Sequence, residues 1–234
     1  KLARTFEPSI VAVRTGLAEA GSDLGSNNFV FIDRPQILVL SGEQTYSQSF
    51  GQLWYYLEQV LDYPHTIIEA DQLGRIPLED FNLLILPEGR YRFSDGIKAD
   101  LAIWTRSGGR IIAIGSAMRA LEGGLESHRD DADAAEQEDL LLPYGGQRRR
   151  YATQAIPGAI FKVTLDETHP LAFGLGTHYF SLKTGTAAYP LQENIWNVGH
   201  IEGDLFTHGF IGQQAREAMK DTFVFGVEEQ GRGA

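Results

Sequence analysis

The sequence has no cysteine among its 234 residues. This absence excludes disulfide bonds, thiolate nucleophiles and zinc sites with cysteine ligands. Basic residues are also scarce, since 20 lysines and arginines face 31 aspartates and glutamates and give a formal net charge of -11. Phosphate binding needs clustered lysines and arginines, and the only basic run is Arg148–Arg150, so we expect no nucleic-acid partner. No run approaches the roughly 18 consecutive apolar residues of a membrane span, so we expect no membrane span either.

The first 34 residues differ in composition from the rest, because they are rich in glycine, serine and asparagine and contain one short β-like run. We therefore predict a lead-in segment from an upstream domain over 1–34 and an α/β domain over 35–234. Within that domain, residues 122–139 include eight acidic side chains and one arginine, which predicts a solvated acidic insertion. The chain ends at a turn of hairpin type around Gly231, so we expect both ends to be cuts in a longer protein.

Short apolar runs alternate with helical patterns from residue 36 to residue 121. This alternation predicts a parallel sheet covered on both faces by helices. The last third, in contrast, is rich in strand patterns and in glycine. We therefore predict a three-layer, flavodoxin-like α/β fold with a mostly parallel sheet and a strand-rich C-terminal third. The four runs assigned to the parallel sheet are Ile37–Leu40, Thr66–Ala70, Leu83–Leu86 and Arg110–Ile114.

A candidate binding crevice follows from the same pattern. In an open parallel sheet, ligands bind beyond the carboxyl ends of the strands, where the loops that follow them converge. We therefore expect small and acidic residues that follow three of the strands to meet there. These residues are Ser41, Glu43, Glu88, Gly89, Gly115 and Ser116.

Two residues are candidates for catalysis. Ser116 follows a predicted strand and precedes a predicted helix, the position where α/β hydrolases mount a nucleophile. The alternative is a small structural residue in a tight turn, because the glycines of the nucleophile motif are replaced by Ile114 and Met118. His169 is the candidate general base. It precedes Pro170, and a residue in that position is held towards extended geometry, so the alternative is an ordinary turn.

Metal and cofactor sites have little support in the sequence. His65 and Glu69 lie four residues apart on an apparent strand, which would separate their side chains by about 13 Å, too far to share one ion. His200 and His208 flank two acidic residues and could meet across a loop. No glycine-rich phosphate loop of the Walker or dinucleotide type is present. We predict neither a metal nor a cofactor in this chain.

Two segments resemble the class I glutamine amidotransferase-like superfamily. They are Leu83–Gly89 and Gly109–Ala117. In that superfamily the strand of the oxyanion hole ends in Pro-Gly-Gly and the turn after a later strand carries the catalytic cysteine. Here Glu88 replaces the first of those glycines, and Ser116 stands at or near the position of the cysteine. The resemblance therefore implies the fold without the glutaminase activity.

Longer stretches resemble the C-terminal region of large bacterial zinc carboxypeptidases of the carboxypeptidase A class. In that family an upstream metallopeptidase domain holds zinc through a His-x-x-Glu pair and a later histidine. This sequence has no His-x-x-Glu pair, so those catalytic residues have no counterpart in it. The similar stretches are Gly16 with 21–26, 35–42, 156–163, 168–174, 179–183 and 224–228.

The second resemblance implies a function through the whole parent protein. It implies that this chain is a non-catalytic accessory domain, that its partner is its own upstream peptidase domain, and that zinc belongs to that domain. Peptide substrates would then be cleaved by the parent, and the location would be periplasmic or secreted. Two alternatives stay open from the residues alone. One is a stand-alone serine-dependent amidase or esterase, and the other is an amidotransferase-like protein that binds a small molecule.

Overall fold

The computed structural model describes residues 14–26, 33–121 and 143–234. The chain divides into two compact units, Lys1–Pro35 and Gln36–Ala234. In the described part of the first unit, a turn is closed by the Leu24 N–H, which donates to the Gly16 carbonyl at 2.8 Å. The acidic insertion predicted over 122–139 lies outside the described residues. The second unit contains both of the sheets found among the described residues.

A parallel sheet of four strands forms the first half of this unit, in the order β2-β1-β3-β4. The two central strands consist almost entirely of aliphatic residues, and such runs are stable where both faces of a sheet are covered. The parallel arrangement predicted for these four runs is therefore confirmed. The strands are β1 (Ile37–Ser41), β2 (His65–Glu69), β3 (Leu83–Leu86) and β4 (Arg110–Ala113).

Alternate residues of the central strands enter two different hydrophobic clusters, because successive side chains of a strand point to opposite faces. Helix α1 (Ser47–Tyr55), which continues as a π turn (Tyr56–Val60), contributes to the cluster that contains Val39 and Ile85. Helix α2 (Asp95–Arg106) contributes Leu101 to the other cluster. The Ser94 hydroxyl begins α2 by accepting the Ile97 N–H at 3.3 Å. Short 3-10 turns complete this half at Ala70–Arg75, Leu78–Asp80 and Gly115–Ala120.

The last third forms a second sheet of six strands, which is antiparallel throughout. Its order is β6-β5-β8-β10-β7, with β9 paired to β5. The strands are β5 (Gly158–Leu165), β6 (His178–Lys183), β7 (Tyr189–Pro190), β8 (Trp196–Ile201), β9 (Thr207–Phe210) and β10 (Thr222–Val227), and the helices are α3 (Tyr144–Gln154), the 3-10 turn Pro170–Ala172, and α4 (Gln213–Ala218).

This second sheet confirms the predicted strand-rich C-terminal third but shows that a mostly parallel sheet was the wrong description of the whole domain. Successive strands of this region are joined mainly by turns and loops, and short connections favour antiparallel pairing, whereas parallel strands need a long crossover. Among the described residues, no helix is long and apolar enough to cross a membrane.

The last residues of the sequence pack along β4. The Ile111 N–H donates to the Ala234 carbonyl at 2.8 Å, and the Ala234 N–H donates to the Gly109 carbonyl at 3.4 Å. A side chain at Gly233 would place its Cβ 2.0 Å from the Gly109 carbonyl oxygen and 2.2 Å from that of Thr105. Such contacts are impossible, so this close approach requires a glycine.

Candidate functional site

The loops that follow β1 and β3 are joined by backbone hydrogen bonds at the carboxyl end of the parallel sheet. The Arg90 N–H donates to the Gln44 carbonyl at 2.8 Å, and the Tyr46 N–H donates to the Glu88 carbonyl at 2.9 Å. Gly89 lies between these two bonds, and a Cβ there would stand 2.3 Å from the Gln44 carbonyl oxygen. Glycine at this position therefore allows the two loops to lie against each other.

A buried tyrosine, Tyr91, hydrogen bonds to both of these loops. The Tyr91 hydroxyl donates to the Pro87 carbonyl at 2.9 Å and lies 3.1 Å from the Thr45 hydroxyl. Burial raises the pKa of Tyr91, and the hydrogen bond with Thr45 opposes this shift. The neutral phenol is therefore the form that the folded loops hold in place.

Ser116 lies at the turn that follows β4, but the helix predicted after it is a 3-10 turn of six residues. Gly115 begins this turn with a φ of +58°, a left-handed conformation that favours glycine. The Ser116 hydroxyl donates to the Gly89 carbonyl at 2.9 Å. The side chain thus ties the turn after β4 to the loop after β3.

His169 lies in the connection between β5 and β6 of the antiparallel sheet. Its Nδ1 accepts the Leu171 N–H at 3.2 Å and so begins the 3-10 turn Pro170–Ala172. Its ring lies 6.3 Å from that of Trp196. The hydrogen bonds of the Ser116 hydroxyl and of the His169 ring therefore run to different parts of the domain.

The structure brings together four of the six residues expected in the crevice. Glu88 and Gly89 contact Gly115 and Ser116, and the side chain of Glu88 occupies the space where a Gly115 Cβ would be, with its Cδ 3.0 Å from that point. Two residues face elsewhere. The Ser41 hydroxyl donates to the Ile68 carbonyl at 2.9 Å, and Glu43 is exposed on the loop.

A cavity of about 1450 Å³ adjoins this crevice and lies between β4 and the second sheet. Glu88 and Gly115 line it from the parallel sheet, and Lys183 and Tyr189 line it from the antiparallel sheet. The Tyr189 hydroxyl lies 3.5 Å from the Gly115 carbonyl, which it faces as a donor. The turn after β4 and the second sheet thus share one cavity. We call this space the Glu88–Lys183 cavity.

Lys183 is the functional candidate that the sequence reasoning missed. It ends β6, and its Nζ donates to the Ala187 carbonyl at 2.6 Å. Burial lowers the pKa of Lys183, and the nearby Glu88 carboxylate acts in the opposite direction. The sequence places these residues about ninety-five positions apart in segments of different strand type, so no local spacing could have joined them.

The histidines considered as metal ligands lie on separate strands. His65 is on β2, where its Nδ1 lies 3.0 Å from the Tyr63 carbonyl. His200 is on β8 and His208 is on β9. Within residues 14–26, 33–121 and 143–234, no group of three or more histidine, aspartate or glutamate side chains could hold a metal ion.

Comparisons with known proteins identify the fold. No protein-family model matches the sequence, and no curated protein matches it. A solved ThuA-like protein from Parabacteroides merdae is 10% identical over 86% of this chain and 77% of its own, with a TM-score of 0.51. This likeness shows a shared α/β fold and nothing about activity. A glutamine amidotransferase from Thermotoga maritima is 8% identical over 72% of this chain and 67% of its own, and its TM-score of 0.40 is too low to support an argument.

Proposed function

We propose that this chain is a non-catalytic accessory domain with a three-layer, flavodoxin-like fold of the class I glutamine amidotransferase-like type. The observed strand order β2-β1-β3-β4 supports this, since it is the order of the first four strands in a flavodoxin-like sheet. The hydrophobic clusters on both faces of the parallel sheet support a layered arrangement. The ThuA-like structure supports the α/β fold.

The hydrogen bond of Ser116 is the main support for the non-catalytic role. A serine nucleophile needs a base that accepts its proton, and that base is oriented by a third group. The Ser116 hydroxyl instead donates to the backbone carbonyl of Gly89 at 2.9 Å. The candidate base His169 uses its Nδ1 to accept a backbone N–H on another turn. This arrangement supports a structural serine.

The resemblance to zinc carboxypeptidases extends the proposal to a parent protein. Such a parent would remove C-terminal residues from peptides, and its location would be periplasmic or secreted. Zinc would be held by an upstream peptidase domain. The residues of this chain do not fit the ion, because the sequence has no His-x-x-Glu pair and its described residues form no ligand cluster.

Labelling with a serine-directed fluorophosphonate tests the non-catalytic role. We expect peptide mapping by mass spectrometry to find no phosphonylation at Ser116, at a reagent concentration that fully labels a known serine hydrolase. Ser107→Ala is the matched control, because the Ser107 hydroxyl also donates to a backbone carbonyl, that of Ile103, at an exposed site. Label on Ser116 that disappears in Ser116→Ala, and persists in Ser107→Ala, would establish the serine hydrolase instead.

The proposed zinc carboxypeptidase parent is tested by measurements on the native protein. Its intact mass and zinc content should be measured after purification from the source organism and compared with the 25.9 kDa of this chain. We expect a much larger species that contains zinc and releases C-terminal residues from peptides. A free-standing, metal-free protein of about the same mass as this chain would refute the carboxypeptidase parent and leave the non-catalytic role of Ser116 to the labelling experiment.

A further inference from the structure

Strand β6 forms one edge of the antiparallel sheet. On one side it pairs with β5 along its whole length, without a register shift. On its other side, no strand pairs with it among the residues that the structure describes. The strand has six residues and contains neither proline nor glycine. A regular edge of this kind presents a row of backbone groups to which another strand can be added.

Three residues of β6 direct their backbone N–H and carbonyl groups away from β5. In an antiparallel ladder, residues that bond to the partner strand alternate with residues that do not. The Leu165 N–H donates to the Thr177 carbonyl at 2.9 Å, so the residues of β6 that bond to β5 are the odd-numbered ones. The backbone groups of the other three face the open edge and have no partner within the described part of the chain. These three are His178, Phe180 and Leu182.

The side chains of the same three residues lie on one face of the sheet and are exposed. Phe180 is 56% exposed and Leu182 is 68% exposed, although both are apolar. The His178 ring packs edge-on against the Phe180 ring, with 5.6 Å between their centroids. The apolar surface continues to Phe206, whose ring lies 6.0 Å from that of Phe180. Contiguous exposed apolar surface of this kind marks interaction sites on soluble proteins.

We infer that the β6 edge binds the β6 edge of a second copy of this chain. The two strands would run antiparallel about a two-fold axis at Phe180, and the two antiparallel sheets would become one. Phe180 would pair with Phe180 of the second copy, and His178 would pair with Leu182 of that copy. In each pair the two residues exchange two backbone hydrogen bonds, so every free backbone group of the edge obtains a partner.

The symmetry of the edge favours a second copy over a strand of another protein. The three free positions are spaced evenly about Phe180, and a two-fold contact requires such a self-complementary arrangement. The charge of the edge agrees with this. The chain has 31 acidic residues, so most of its surfaces repel a second copy, but β6 contains none. Its pairing therefore places no carboxylates opposite each other and brings two aromatic rings together, which stabilises a sheet.

The area of this contact predicts a reversible dimer. The exposed part of the Phe180 side chain is roughly 100 Å². Pairing covers such parts of Phe180 and Leu182, together with the backbone edge, on both copies. The total is on the order of several hundred Å², which is below the roughly 1,200 Å² of stable complexes. We therefore expect a dimer that dissociates on dilution, with a Kd on the order of 10–100 μM.

Sedimentation equilibrium of the 234-residue chain between about 1 and 500 μM tests the inference, because this range spans the expected Kd. The mass should rise from 25.9 kDa towards twice that value as the concentration increases. A chain that stays monomeric over the whole range would overturn the inference and leave the edge to an extended segment of another protein.

Phe180→Lys assigns the dimer to β6. Lysine on an edge strand opposes pairing, and here two ammonium groups would face each other at the two-fold axis. The variant should weaken dimerisation about tenfold or more. Tyr55→Lys is the matched control, because Tyr55 is 58% exposed at the end of α1, and it should leave the Kd unchanged. A dimer that Phe180→Lys does not weaken would overturn the inference. Leu182→Lys replaces this variant if its melting transition is not cooperative.

Hydrogen exchange at residue resolution distinguishes strand pairing from contact through another surface. At a concentration where the dimer predominates, the amides of His178, Phe180 and Leu182 should exchange severalfold more slowly than in dilute solution, since each gains a backbone acceptor. The amides of Tyr179 and Ser181 already bond to β5 and should change little. A dimer in which the first three amides exchange at the monomer's rate would overturn the inference.

Discussion

Gly89→Ala is expected to destabilise the domain strongly, because Gly89 lies where the loops after β1 and β3 touch. The added Cβ would stand 2.3 Å from the Gln44 carbonyl oxygen and 3.0 Å from the Thr45 Cα. Both neighbours are backbone atoms, so neither can rotate away, and the two loops must separate. Overpacking of this kind costs about 1–3 kcal/mol. Separation would also weaken the bond from the Arg90 N–H to Gln44, which contributes about 1 kcal/mol.

The expected loss is therefore about 3 kcal/mol in the free energy of unfolding. For a domain of this size, each kcal/mol corresponds to about 2–4 °C in Tm, so we expect Tm to fall by about 6–12 °C. Thermal melting followed by far-UV circular dichroism measures the shift. Urea denaturation then gives the free energy, with an unchanged m-value if the denatured state is the same in both proteins.

Gly51→Ala is the matched control. Gly51 lies within α1, and nothing stands within 4 Å of the Cβ that alanine would add. Alanine is favoured over glycine in a helix by about 1 kcal/mol, so this variant should be more stable than the wild-type chain. A loss of stability in Gly89→Ala and a gain in Gly51→Ala would distinguish steric contact from backbone entropy. A Gly89→Ala variant as stable as Gly51→Ala would refute the close packing of the two loops.

Two further substitutions test hydrogen bonds and titration. Tyr91→Phe should cost about 1 kcal/mol, because the Pro87 carbonyl loses its donor. The folded pKa of Tyr91 is raised, so its contribution to stability is full below the unfolded value near pH 10 and is lost as pH rises through the folded pKa. In urea titrations above about pH 10, the free energy of unfolding should therefore decrease less in the variant than in the wild-type chain. Asp166 has a lowered pKa, chiefly because its carboxylate accepts the Thr168 hydroxyl, so its contribution is present above about pH 4 and lost as pH falls through the folded pKa. The free energy of unfolding of Asp166→Asn should therefore depend less on pH below about pH 4 than that of the wild-type chain. The same pH dependence in both proteins would contradict this assignment.

The parallel half of the fold could be predicted from local patterns. The runs that became β1 and β3 are aliphatic and stop near glycine or proline. Their length and their ends can therefore be predicted from consecutive residues. Helix α2 (Asp95–Arg106) also begins at a local signal, because its capping serine lies directly before it. These features depend on neighbours in the sequence, which sequence reasoning can use.

The pairing of the second half could not be predicted in the same way. Strand β5 pairs with β6 on one side and with both β8 and β9 on the other, so its partners come from distant positions. Alternating patterns predicted that these strands exist but carry no information about which strand lies beside which. The helix predicted after Ser116 was wrong for a related reason. Residues Gly115–Ala120 form a 3-10 turn in which the Ser116 side chain bonds to Gly89, a tertiary contact that local patterns do not show.

The location of the site follows from both halves together. The parallel half supplies Glu88 and Gly115 to the cavity wall. The antiparallel sheet adds Lys183 and Tyr189, and the Tyr189 hydroxyl faces the Gly115 carbonyl at 3.5 Å. Further charged side chains from both halves line the same cavity, including Arg110 of β4 and Glu228 after β10. Because residues from both sheets line one cavity, neither half of the sequence alone could have located it.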